Sequence, residues 1–225
     1  MPLHVSRIRA ICFDVDGTLS DTDNVVVDKL TIVLKPFHFL FPKKGIQQVA
    51  RRFVMASEAP ANFLIGIPDV IGLDDEIFAL ADWVARKSRK KPKKFQIIEG
   101  TRGMLTELSK RYPLAVVSAR DMRMTRIFLE QFDLLPYFKC IATAQTCKYT
   151  KPYPDPILWA AEQMGVTPDA CLMVGDTIVD IRAGSKAGAQ TVGVLCGFGE
   201  EDELRKRGAD MILATTPELV QVLEI

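Results

Sequence analysis

The chain has 225 residues, with 29 basic and 28 acidic side chains and a net charge of +1 at pH 7. This balance gives no reason to expect a polyanionic partner, and no run of about 18 apolar residues is present to span a membrane. The first residues lack the apolar core of a signal peptide. The five cysteines are scattered, which is typical of a reducing compartment, so we expect a cytoplasmic protein.

The first feature along the chain is an apolar run, Ala10 to Phe13, that ends in two carboxylates. Such a run is typical of a short buried strand. Because residues i and i+2 of a strand point the same way, Asp14 and Asp16 are expected to share a face. Gly17 then allows a sharp turn. Two like charges this close repel each other unless a cation lies between them or one is protonated, so the pair indicates a metal site.

The sequence Asp-Val-Asp-Gly also fits a turn that has no catalytic or metal-binding role. Asp and Gly are common in exposed turns, so these four residues alone leave a plain surface turn open. A calcium-binding loop of the EF-hand type needs a third ligand before its glycine and a glutamate at its last position. Gly17 follows Asp16 directly, and the EF-hand loop is therefore excluded.

The next part of the chain, residues 20 to about 92, has apolar residues at helical spacing and no convincing strand. This helical block interrupts the sheet to which the first strand belongs. It runs into a basic segment, with seven lysines or arginines among residues 86–94. Basic residues suit the end of a helix, and nucleic-acid binding needs a fold motif or interleaved aromatics as well. We therefore interpret the basic segment as a solvated helix end followed by a hinge.

From about residue 99 onward, helical and strand patterns alternate. Helices are predicted at residues 101–110, 122–132, 156–164, 178–187 and 201–207, and strands at 114–117, 140–142, 171–174, 190–195 and 211–213. This alternation indicates βαβ units. We therefore predict an α/β protein whose parallel sheet is covered by helices on both faces.

Polar residues gather close to the ends of the predicted strands. In parallel sheets, ligands bind outside the carboxyl ends of the strands, so these residues are expected to meet: Asp14, Asp16, Ser118, Lys151, Asp176 and Asp180. Each alone is more simply a helix cap or a surface residue. Together, carboxylates suit Mg²⁺, while a hydroxyl, backbone amides and a lysine suit a phosphoryl group. Since an aspartate can attack phosphorus, the set indicates phosphoryl transfer.

Four short motifs in this order resemble those of the haloacid-dehalogenase-like (HAD) hydrolases: Asp14-Val15-Asp16-Gly17-Thr18, Ser118, Lys151-Pro152 and Gly175-Asp176-Thr177-Ile178-Val179-Asp180. Each motif is weak alone, whereas all four in order are specific. Residues 151–156 and 197–219 further resemble the phosphoglycolate-phosphatase-like branch. The resemblance implies a Rossmann-like core of residues 1–19 and 95–225. It also implies an inserted α-helical cap of the C1 type, with its hinges, in residues 20–94.

The resemblance also implies roles for the acidic residues. Asp14 corresponds to the family nucleophile, which forms an aspartyl-phosphate, and Asp16 to the general acid and base. The metal, Mg²⁺, would be held by Asp14, by the backbone carbonyl of Asp16 and by Asp176. Asp180 would either bind the metal weakly or orient Lys151.

The transferring phosphoryl group would be held by Ser118 and the backbone amide of Ala119, and Lys151 would neutralise its developing charge. Relatives often carry Asn and Lys after the serine, whereas this chain has Ala119 and Arg120. An arginine here could clamp an anion with two hydrogen bonds. We instead expect Arg120 to be a surface residue at the start of a helix.

The favoured function is hydrolysis of a small phosphomonoester, because family members that cleave halides or phosphonates lack an acid at the position of Asp16. A sugar phosphomutase and a pyrophosphatase of the same family remain open. A non-catalytic regulatory module remains open as well, and so does a receiver-type signalling domain, although a receiver would not need the helical insert.

The expected partner is a small phosphorylated metabolite, with neither nucleic acid nor a membrane, and the chain is expected to be a monomer or a weak homodimer. Substrate specificity would lie in the cap, where Arg51, Arg52 and the loop 62–66 are candidates. The cap would close over the core on hinges at residues 20–22 and 91–95.

Overall fold

The structure, a computed structural model, describes residues 3–21 and 95–224. The cap candidates Arg51, Arg52 and 62–66 and the basic segment at 86–94 lie outside these residues, as does the rest of the predicted cap and its hinges apart from residues 20, 21 and 95. They stay predictions. The chain divides into two units, residues 1–24 with 95–225 and residues 25–94, and all elements given below belong to the first.

Six parallel strands form one sheet in the described part of the chain. They are β1 (Ala10–Phe13), β2 (Leu114–Val117), β3 (Phe138–Ala142), β4 (Cys171–Gly175), β5 (Gln190–Val194) and β6 (Met211–Leu213). Their order across the sheet is β3-β2-β1-β4-β5-β6. β2 and β3 thus lie on one side of β1, and the chain then crosses to the other side, where β4, β5 and β6 follow in order. In sheets of this kind, the reversal beside the first strand is where ligands bind.

In residues 3–21 and 95–224, six α-helices connect or follow these strands. They are α1 (Thr101–Leu108), α2 (Met122–Gln131), α3 (Asp155–Met164), α4 (Ile178–Ala187), α5 (Glu201–Lys206) and α6 (Leu219–Val222). The predicted α/β class is confirmed, and boundaries differ from the predicted ones by at most two residues. The four-residue helix α6 was not predicted, since it is too short to show helical periodicity. Among the described residues, no helix has the length and apolar character needed to cross a membrane.

The core lies on both faces of the sheet because successive strand residues point to opposite sides. In β1, Ile11 and Phe13 join the cluster formed with helices α1, α2 and α6. Ala10 and Cys12 join the cluster formed with α3 and α4. Alanines dominate this second cluster, so α3 and α4 approach the sheet closely.

The close approach of α4 depends on Gly184. A Cβ at this position would lie 2.5 Å from Cγ2 of Thr191 and 3.0 Å from Cβ of Met173. By contrast, Gly103 in α1 is exposed, and nothing lies within 4 Å of the place its Cβ would take. The two helical glycines therefore form a matched pair for testing the packing.

We predict that Gly184→Ala lowers the free energy of unfolding by about 1–3 kcal/mol, because the methyl group overpacks the core. Gly103→Ala should raise it by about 0.5–1 kcal/mol, because alanine is the better helix former. Urea denaturation followed by circular dichroism measures both changes. Equal effects of the two substitutions would contradict the close packing of α4 on the sheet.

Candidate active site

Three of the residues expected at the site directly follow the central strands. Asp14 comes after β1, and its N–H donates to the carbonyl oxygen of Val174 at 2.9 Å. Ser118 comes after β2, and its N–H donates to the carbonyl oxygen of Ala142 at 2.9 Å. Asp176 comes directly after β4. Because these strands are parallel neighbours, the three residues lie at the same end of the sheet, as the sequence predicts.

Lys151 lies between two carboxylates. Its Nζ is 2.8 Å from Oδ1 of Asp14 and 2.6 Å from Oδ1 of Asp180, and the residue is only 2% exposed. Burial disfavours the charged amine, but the attraction of Asp14 and Asp180 outweighs it and raises the pKa of Lys151 above its ordinary value. The lysine therefore stays a cation at neutral pH.

Asp14 and two further acids form a buried cluster. One carboxylate oxygen from each of Asp14, Asp176 and Asp180 lies within 4.8 Å of the other two. Burial raises the pKa of Asp14 to about 7; the Asp180 and Asp16 carboxylates add to the rise and Lys151 opposes it. Lys151 offsets only part of the negative charge of three carboxylates, and grouped hard oxygen donors suit a divalent cation such as Mg²⁺. These residues therefore fit the metal that the sequence predicts.

Asp180 joins Lys151 to the start of helix α4. While its Oδ1 faces Lys151, its Oδ2 accepts hydrogen bonds from the N–H of Thr177 at 3.0 Å and from Oγ1 of Thr177 at 2.7 Å. This arrangement is a capping box, which satisfies backbone groups at the start of a helix. Gly175 makes room for it, because a Cβ there would overlap Cβ and Cγ of Asp180. Asp180 thus contacts Lys151 and also belongs to the acid cluster, and both roles expected for it stay predictions.

Asp176 is held by two residues to which the motif analysis assigned no role, Thr18 and Phe198. Its Oδ2 accepts the N–H of Phe198 at 2.8 Å, and its Oδ1 accepts a 3.4 Å hydrogen bond from Oγ1 of Thr18. The loop after β5 comes so close that a Cβ at Gly197 would overlap Oδ2 of Asp176, and one at Gly199 would overlap its backbone oxygen. The feature of the sequence that could have predicted this close approach is Gly-Phe-Gly at residues 197–199, soon after a predicted strand.

Arg120 is not the surface residue that the sequence analysis expects. Its Nε donates to Oδ2 of Asp16 at 3.1 Å, and its Nη2 contacts Oδ1 of the same carboxylate. The side chain of Arg120 is 13% exposed, against 33% for Asp16. The expectation is wrong because the guanidinium is drawn inward by an opposite charge and by aromatic rings, which local sequence does not reveal.

Ser118 and Ala119 shape the turn that leads to Arg120. Ser118 is buried, and its Oγ accepts the N–H of Arg120 at 3.1 Å. Ala119, between them, is exposed. The hydroxyl thus fixes the backbone whose amides are expected to meet a phosphoryl group.

A parallel α/β sheet with buried carboxylates and a lysine at the carboxyl ends of its central strands defines a Rossmann-like core with an active site at that end. The profile of the haloacid dehalogenase-like hydrolase family matches residues 11–194. The chain belongs to this family of enzymes, as its four motifs predict.

Relatives match the chain over nearly its full length. Pyrophosphatase PpaX of Anoxybacillus flavithermus is 25% identical, over 97% of this chain and 98% of the relative. Phosphoglycolate phosphatase of Escherichia coli is 26% identical, over 96% of this chain and 92% of the relative.

Solved structures share the fold. A hydrolase from Pseudomonas syringae has a TM-score of 0.69 at 24% identity, over 96% of this chain and 98% of that one. A putative beta-phosphoglucomutase from Thermotoga maritima has a TM-score of 0.67 at 23% identity, over 96% of this chain and 99% of that one. These similarities confirm the Rossmann-like α/β fold.

We predict that Gly197→Ala weakens Mg²⁺ binding by about tenfold or more, the size of effect that groups supporting a metal ligand commonly have. The new methyl group would push the Asp176 carboxylate out of the buried cluster. Isothermal titration calorimetry of the folded protein measures the affinity, and Gly103→Ala serves as the matched control. Unchanged affinity in Gly197→Ala would contradict a metal at Asp176.

Proposed function

We propose that the protein is a Mg²⁺-dependent phosphatase that hydrolyses a small phosphomonoester through an aspartyl-phosphate on Asp14. The observation that carries this proposal is the buried contact of Lys151 with both Asp14 and Asp180, beside Asp176 at the carboxyl ends of the central strands. This arrangement combines a carboxylate nucleophile with a fixed cation and a candidate metal site. Membership of a hydrolase family and similarity to a phosphoglycolate phosphatase support it.

In the first step, a carboxylate oxygen of Asp14 attacks the phosphorus atom of the ester. The bond from phosphorus to the leaving oxygen breaks, and Asp16 donates a proton to that oxygen. Lys151 orients Asp14 and offsets the charge that builds up on the phosphoryl oxygens. Ser118 and the amide of Ala119 hold the phosphoryl group. The products of this step are an alcohol and a phosphorylated Asp14.

In the second step, a water molecule attacks phosphorus on the side away from Asp14. Asp16, now ionised, takes a proton from this water, and the bond between phosphorus and Asp14 breaks. Inorganic phosphate leaves and both aspartates return to their starting protonation states. Asp14, Asp176 and the carbonyl of Asp16 would hold Mg²⁺, which would supply positive charge to offset that of the phosphoryl group.

Pyrophosphate hydrolysis is a second candidate function, favoured by the similarity to a pyrophosphatase over 97% of the chain. The same nucleophile and cations would serve this reaction, because it also transfers a phosphoryl group. Its leaving group is phosphate rather than an alcohol, so it depends less on a proton from Asp16. Substrate preference therefore separates the two candidates.

We also propose a cytoplasmic location. All five cysteines are free thiols: Cys12, Cys140, Cys147, Cys171 and Cys196. A reducing compartment keeps thiols in this state. A small phosphorylated metabolite, the expected substrate, is consistent with that compartment, and the chain is proposed to act as a monomer or weak homodimer.

We predict that Asp14→Asn lowers Mg²⁺-dependent hydrolysis of p-nitrophenyl phosphate by about 10⁴-fold or more, as expected for loss of a nucleophile. EDTA should abolish the wild-type activity in the same assay. Glu162→Gln, an exposed position near the end of α3, removes one negative charge as a control and should keep full activity. The proposal fails if Asp14→Asn keeps wild-type activity, or if the wild-type protein releases phosphate from no member of a broad ester panel.

For substrate class, we predict that kcat/KM for the best small phosphomonoester exceeds that for pyrophosphate by about tenfold or more, equivalent to about 1.4 kcal/mol of transition-state binding. Released phosphate is measured with a colorimetric assay at matched Mg²⁺ concentration. Conversion of one hexose phosphate isomer into another without phosphate release would instead identify a mutase. A preference for pyrophosphate would establish the second candidate.

A further inference from the structure

Asp14 and Asp16 are two residues apart, yet their carboxylates have different surroundings. Asp14 belongs to the buried cluster with Asp176 and Asp180 and contacts Lys151. Asp16 lies outside that cluster, and both of its carboxylate oxygens meet the guanidinium of Arg120.

The guanidinium of Arg120 is fixed from several sides. Its carbon atom lies 4.8 Å from the centre of the Phe95 ring and 6.0 Å from that of Phe128, distances at which a cation is attracted to an aromatic face. The backbone N–H of Arg120 is held by Oγ of Ser118. Because the planar guanidinium makes two parallel hydrogen bonds to a carboxylate, a fixed arginine also fixes the orientation of Asp16.

Without this arginine, the charges of the site would pull Asp16 elsewhere. Asp16 is only two residues along the chain from Asp14, so its carboxylate is close to the acid cluster. Lys151 and a bound divalent cation would both attract this carboxylate. A carboxylate that binds the metal is not available to exchange protons with the leaving group or with water. The local charges therefore favour a side chain that competes for Asp16 from outside the cluster.

We propose that Arg120 is a positioning residue that holds the Asp16 carboxylate outside the cluster of Asp14, Asp176 and Asp180, and so keeps it from becoming a metal ligand. This inference rests on the proposed function, which gives Asp16 the role of acid and base. It adds a residue to the site that lies two positions after Ser118. In this proposal Arg120 acts through its contact with Asp16.

The test is a double-mutant cycle in which Mg²⁺ affinity is measured by calorimetry without substrate. The four proteins are the wild type, Arg120→Met, Asp16→Asn and the double variant. Arg120→Met should bind Mg²⁺ about tenfold more tightly, because the released Asp16 becomes a ligand. In the Asp16→Asn background, the same substitution should change affinity by no more than about twofold.

Equal tightening in both backgrounds would overturn the proposal, since loss of a positive charge alone would then explain it. Unchanged or weaker binding in Arg120→Met would overturn it too, because a purely structural arginine predicts that result. If Arg120→Met does not fold, Arg120→Lys replaces it in the cycle. Lysine keeps the charge but lacks the two-point contact, and should give a smaller tightening that again requires Asp16.

Leaving-group dependence gives a second readout. In single-turnover experiments, Arg120→Met should slow release of the alcohol from an alkyl phosphate ester by about 10²-fold, because its leaving alkoxide needs a proton. The decrease in the rate of p-nitrophenolate release should be much smaller, since nitrophenolate leaves without a proton; equal decreases in these two release rates would count against the proposal. If the wild type hydrolyses neither ester, the proposed function fails, while the calorimetric cycle still decides the role of Arg120.

Discussion

The contact of Lys151 with Asp14 and Asp180 is the interaction on which the rest of the site depends. A lysine that is 2% exposed is unfavourable unless its charge is paired and hydrogen-bonded. Buried ion pairs often contribute little net stability, because the desolvation penalty offsets the attraction. The arrangement is therefore better explained by the proposed chemistry: it places a fixed cation against the carboxylate proposed as the nucleophile.

The same contact connects the site to the scaffold. Asp180 uses one oxygen for Lys151 and the other for the first turn of α4, so the position of the lysine is tied to the start of a helix. Gly175 and Gly197 permit the carboxylates of Asp180 and Asp176 to approach the loops beside them. The acids are thus held by backbone geometry and do not need to be ordered when a substrate arrives, which is the condition for electrostatic preorganisation.

The fold was predictable from the sequence because hydrophobic periodicity marks each strand and helix, as at Leu114–Val117, where the observed strand matches the predicted one. The acids, Ser118 and Lys151 were predictable because they follow strands or form recognisable motifs. The surroundings of Arg120 could not be predicted from the sequence. Phe95 and Phe128 meet its guanidinium only through the tertiary fold, and nothing near residue 120 in the sequence indicates which way the side chain turns.

The asymmetry of Asp14 and Asp16 has a physical origin in the end of β1. The strand stops at Phe13, and Gly17 with a φ of +70° turns the chain, so the alternation of a regular strand does not continue through Asp16. Each carboxylate then meets a cation of its own, Lys151 for Asp14 and Arg120 for Asp16. Two close acids on one strand end would need a shared cation, whereas two acids with separate cations can take separate roles. The protein's own basic side chains thus give the two aspartates the different surroundings that the proposed roles of nucleophile and proton carrier require.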